Sequence, residues 1–146
     1  MTHVRRFDHI GITVADLEAA TEFFVRLGLE VEGTGEVAGE FVETVCAVPG
    51  AHCRIAMLRT PGGGPRLELS SFVTPEHTPG SPQALATEVG LRNVSFEVVD
   101  LQAAVDAVAA DGYGLVGGIG EYEGSVRMAY VRGPEGIVVS LFEQLG

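Results

Sequence analysis

The chain has no lysine, and its nine arginines stand against twenty acidic residues. Without lysine it has no side-chain amine for a Schiff base, so carbonyl chemistry through a lysine imine is excluded, and with it a pyridoxal phosphate enzyme carrying its own lysine. The net charge of −11, with no basic stripe to offset it, repels a phosphate backbone and argues against a nucleic-acid partner. Cysteine is scarce too. Cys46 and Cys53 are too few for a disulfide framework and are expected to be buried free thiols. No apolar run reaches the roughly 18 residues of a membrane span, and "MTHVRRFDH" lacks the apolar stretch of a secretory signal, so a cytoplasmic protein without a membrane partner is expected. What the chain does have is an apolar fraction of 46% over 146 residues, enough for one ordinary core.

It also has an internal repeat. "DHIGITVADLEAATEFFVRLGLEV", residues 8–31, aligns without a gap on "RNVSFEVVDLQAAVDAVAADGYGL", residues 92–115. Val14, Asp16, Leu17, Ala19, Ala20 and Gly28 return as Val98, Asp100, Leu101, Ala103, Ala104 and Gly112. Each copy opens with strand alternation: His9, Gly11 and Thr13 on one face, Ile10, Ile12 and Val14 on the other. Asp16 and Asp100 stand where helix N-caps belong. Apolar residues then follow at helical spacing until Gly28 and Gly112. Beyond each helix come strand-like runs: "EFVETVCAV", "CRIAMLR" and "RLELSSF" in the first half, "GLVGGIG", "SVRMAYVRG" and "GIVVSLFEQ" in the second. "TPGGGPR" and "RGPEGI" read as hairpin turns. The glycine cluster "PGGGP" joins two strands, whereas a phosphate-cradling loop joins a strand to a helix, so it is a turn.

The expected architecture is α+β: two βαβββ modules, residues 5–74 and 91–146, joined by the proline-rich linker 75–90 within a single domain of residues 1–146. A half this small cannot close its own sheet, so the modules are expected to form a curled mixed sheet around a cavity.

The repeat, with "RGPEGIVVSLFEQ" at the end, resembles the vicinal oxygen chelate superfamily, which includes glyoxalases, extradiol dioxygenases and bleomycin-resistance proteins. The resemblance implies a small-molecule substrate or ligand, a homodimer, and in many members a divalent metal (Zn, Ni, Mn or Fe) held by one residue from the first and one from the last strand of each module. Carried over residue by residue, His9 in "DHIGI" and Glu68 in "RLELSSF" are the candidate metal ligands or catalytic acid/base groups of module one. The ungapped repeat puts Asn93 at the first-strand position of module two, and the match of "VVSLFEQ" to "LELSSFV" puts Ser140 at the last. An amide and a hydroxyl there leave the metal-ligand set incomplete. Glu143, three residues beyond Ser140, should point to the opposite face. Arg127 and Tyr130, with Tyr122 nearby, lie in a region that commonly lines the cavity in this family. Their spacing of three keeps Arg127 and Tyr130 from sharing one face of a regular strand.

Two functions are carried forward. One is an enzyme of glyoxalase or dioxygenase type, acting on a carbonyl or diol through His9 and Glu68. The alternative is a protein of bleomycin-resistance type that binds and sequesters an antibiotic or toxin without turnover.

Overall fold

A computed structural model describes residues 3–146. The fold is mixed α+β, in two compact units divided inside the linker, Met1–Pro79 and Gly80–Gly146. In unit one, β1 (His9–Thr13), α1 (Leu17–Leu27), β2 (Glu30–Ala38), α2 (Glu40–Cys46), β3 (His52–Arg59) and β4 (Arg66–Thr74) form a four-stranded sheet of order β1-β4-β3-β2. Unit two contains β5 (Val94–Glu97), α3 (Leu101–Ala110), β6 (Gly114–Leu115), β7 (Gly120–Tyr122), β8 (Val126–Arg132) and β9 (Val138–Gln144), of order β5-β9-β8-β6 with β7 also on β8. Both sheets are mixed, because the opening strand of each unit runs parallel to its last strand.

The duplication extends to atomic detail. Asp16 accepts from the Ala19 amide and Asp100 from the Ala103 amide, each at 3.0 Å, satisfying helix-start donors that would otherwise lack partners. Register repeats as well: Ile12 lies beside Leu69 and Gly11 beside Glu68, while Phe96 lies beside Leu141 and Ser95 beside Ser140. The helices α1 and α3 each cover one face of their own sheet. Ala20, Phe23 and Phe24 are buried in unit one with Leu58, Leu67 and Leu69; Leu101, Val105 and Val108 are buried in unit two with Val131, Val139 and Leu141. The strand residues that alternate with these carry the polar candidates.

Three expectations need correction. "EFVETVCAV" is the helix α2, and the strand preceding β3 is Glu30–Ala38. Val42, Thr44 and Val45 suggested a strand, but Gly39 (φ 97°) turns the chain out of β2, and Glu40 and Glu43 suit a helix N-terminus. In β2 all nine residues are exposed and two are glycine, so no apolar alternation marked it. "GLVGGIG" is likewise not one strand: it holds β6, the start of β7 and the loop between them, whose Val116 amide donates to the Tyr130 carbonyl at 2.9 Å. Only Cys53 is a buried thiol. Cys46, at the end of α2, is exposed.

The linker is built into unit two at its second half. Arg132 donates to the carbonyls of Pro82 (3.0 Å) and Ala84 (2.9 Å), strapping this segment against the β8–β9 turn. Among the described residues, no helix is long and apolar enough to cross a membrane.

Candidate functional site

In unit one, adjacency of β1 and β4 brings His9 and Glu68 to one sheet face, with His9 Nε2 3.7 Å from Glu68 Oε2. Gly11, the register partner of Glu68, leaves the space beside the pair open: no atom lies within 4 Å of where a Cβ would stand. The other imidazole nitrogen, Nδ1, lies 2.8 Å from Asp8 Oδ2. The His9 hydrogen bond, with Arg66 and Arg6 beside it, lowers the Asp8 pKa to about 2. Asp8 therefore remains a carboxylate and an acceptor at neutral pH. That acceptor orients the ring, with Nδ1 toward Asp8 and Nε2 toward Glu68. Arg66 is itself held between Asp8 (3.0 Å) and Glu32 (2.7 Å). The distance between His9 and Glu68 exceeds a direct hydrogen bond, leaving room for a polar group to bridge them.

In unit two, three of the four candidates meet. Asn93 Nδ2 donates to Tyr130 Oη at 3.1 Å, and Tyr130 lies opposite the buried Ser140 in the β8–β9 ladder. Arg127 is separated from them. Its register partner is Glu143, whose carboxylate accepts from the Leu101 amide (2.7 Å) at the start of α3, on the helix-covered face. The Arg127 guanidinium instead lies 3.5 Å from Glu121. Glu143 is thus engaged at a helix terminus, facing away from Ser140 as its spacing predicted.

Beside Tyr130 is a cleft of about 550 Å³. It is lined by Val126, Met128 and Tyr130 at alternate positions of β8, by Tyr122 of β7 and by the loop around Gly117 and Gly118. Of its lining residues only Glu121 is charged, and Arg127 engages that carboxylate. Sequence reasoning missed Asp8 and Met128. Their signals were the adjacency of Asp8 to His9 and the two-residue step from Met128 to Tyr130, which puts both on one strand face. The glycine loop is hidden in the sequence because "GLVGGIG" has the composition of a strand with flanking turns.

The residues do not fit a tightly held transition metal. His9 and Glu68 are spaced to touch one ion, but among the described residues no cluster of three or more His, Cys, Asp or Glu could hold it. At the repeat-related positions the Asn93 amide is turned to donate to Tyr130, and Ser140 offers a neutral hydroxyl.

The two units share a plan, a strand, a helix and then further strands in one mixed sheet, with polar candidates on the face away from that helix. The chain belongs to the Glyoxalase/Bleomycin resistance protein/Dioxygenase superfamily, whose family model matches residues 8–130. It is similar to the structure of a glyoxalase family protein from Bacillus cereus: 37% identity, TM-score 0.95, covering 99% of this chain and 97% of that one. TnmS3, an antibiotic binding protein from Streptomyces sp. CB03234, shares the fold at 21% identity and TM-score 0.65, with 99% of each chain covered. FosX, the fosfomycin resistance protein from Listeria monocytogenes, shares it at 13% identity and TM-score 0.61, covering 99% of this chain and 95% of that one. No curated protein matches the chain in sequence.

Proposed function

We propose that the chain binds a small, largely apolar molecule with an aromatic portion, held in the unit-two cleft without a metal ion. The supporting observation is the lining itself: two tyrosines, a methionine, valines and glycines around about 550 Å³. Aromatic rings and a thioether offer polarisable contact, and glycine lets backbone approach a flat ligand closely. The charge of −11 favours a neutral or cationic ligand over an anion. The family contains both enzymes and antibiotic-binding proteins, so the reading rests on the residues present here. Naphthalene, followed by its own fluorescence as protein is added, should bind with a dissociation constant below about 1 mM, the affinity reachable by burying most of its surface less the cost of association. No saturable binding up to millimolar protein would refute the reading.

A second reading, an enzyme of glyoxalase or dioxygenase type, is favoured by the Asp8–His9–Glu68 arrangement. Asp8 orients the imidazole so that Nε2 can act as a base toward a substrate, with Glu68 receiving or returning the proton. The check is deuterium exchange at the carbon beside the carbonyl of an enolisable ketone in heavy water. Catalysis by the wild type that falls at least tenfold in His9→Ala supports the enzyme; the same rate in both proteins removes it.

A further inference from the structure

Asn93 occupies the position at which the repeat has His9, and its side chain is committed to Tyr130. We propose that Asn93 positions Tyr130 so that the phenol donates its proton to an acceptor oxygen of the ligand, making the cleft selective for aromatic carbonyl compounds over their hydroxyl analogues. This rests on the reading that the unit-two cleft binds a small molecule.

A phenol has one O–H to give and lone pairs to receive. Asn93 Nδ2, 3.1 Å away, occupies one acceptor position of Tyr130 Oη and so turns the O–H away from itself. Among the described residues no other group bonds this hydroxyl, so its proton is available to a ligand. Accepting the amide N–H also polarises the phenol and strengthens it as a donor. Tyr130 lines the cleft and shares a strand face with Met128, so a ligand lying on Met128 occupies the sheet face from which the Tyr130 side chain rises. A carbonyl oxygen there receives the proton. A phenolic hydroxyl there can receive it too, but its oxygen, whose lone pair is drawn into the ring, is a weaker acceptor than a carbonyl, so the carbonyl compound is preferred. Asn93 thus acts through Tyr130, as a positioning residue, in place of the direct contact its position suggests.

The test uses three probes of one ring system: naphthalene, 2-acetylnaphthalene and 2-naphthol. Wild type should bind 2-acetylnaphthalene about tenfold more tightly than 2-naphthol, the value of one buried hydrogen bond. In Asn93→Asp the carboxylate accepts the phenol proton, so Tyr130 presents lone pairs instead and the preference should reverse in favour of 2-naphthol. Tyr130→Phe should bring both substituted probes to within about threefold of naphthalene. A purely structural role for Asn93 would weaken all three probes in proportion and leave their ratios unchanged. Equal ratios in wild type and Asn93→Asp overturn the proposal while leaving the cleft as a binding site. If naphthalene itself fails to bind wild type, the binding reading fails first and the proposal with it.

Discussion

Replacing Gly136 with alanine should destabilise the protein by about 2–4 kcal/mol. Gly136 sits in the 3₁₀ turn between β8 and β9 at φ +85°, a conformation that costs an alanine about 1 kcal/mol or more. The added Cβ would also stand 2.4 Å from both Cα and the carbonyl oxygen of Pro82. These are backbone atoms, with no flexible side-chain end to swing aside, so relief requires moving the 82–84 segment. Arg132 resists that movement through its bonds to the Pro82 and Ala84 carbonyls. Overpacking of this kind typically costs about 1–3 kcal/mol in addition to the backbone strain. Urea denaturation should show a lower midpoint with an unchanged slope, and limited proteolysis should cut near residue 84 faster than in the wild type. A midpoint equal to wild type would show that the linker does not pack on this turn.

Exchanging Met128 for lysine should weaken naphthalene binding at least tenfold while leaving the fold intact. Met128 is 40% exposed and faces the cleft, so its replacement opens no cavity in the core. The lysine ammonium keeps its hydration, and an aromatic ligand must strip that water or sit away from the strand. Either outcome forfeits the contact with the thioether, and desolvating the charge costs more than the tenfold limit represents. Met128→Leu, similar in volume and apolar, should bind within about threefold of wild type. If the lysine variant bound naphthalene as well as wild type does, the ligand would lie elsewhere.

The parts of the molecule legible in the sequence are those governed by local rules. Asp16 and Asp100 cap helices through bonds to amides three residues on, so the ungapped repeat carried both helix starts. Alternation on β1, and the sequence alignment of Leu69 with Leu141, placed Glu68 and Ser140 at equivalent register positions in their own units. The spacing of three between Arg127 and Tyr130 already implied that they part, and Glu143 and Tyr130 mark the two faces on which they fall. The strand β2 was not legible because exposure on both faces removes the apolar alternation that identifies a strand. The helix α2 was misread because it buries only Val42, leaving β-branched composition as the stronger local signal. The Asn93–Tyr130 bond joins side chains 37 positions apart. Nothing in either residue's neighbourhood along the chain specifies it; only strand order brings them together.

That bond underlies the central proposal, that the unit-two cleft recognises its ligand by neutral hydrogen bonding without a metal ion. The direct measurement is titration of untagged protein with 2-acetylnaphthalene, once in excess EDTA and once after dialysis against Zn²⁺, Ni²⁺ or Mn²⁺ with elemental analysis of the dialysed sample. The expected result is less than 0.1 equivalent of tightly held metal per chain, on the order expected for a two-donor set, and dissociation constants equal within about twofold under all conditions, since metal-free hydrogen bonding carries the recognition. A full equivalent of metal, with ligand binding abolished by EDTA and restored by the ion, would contradict it.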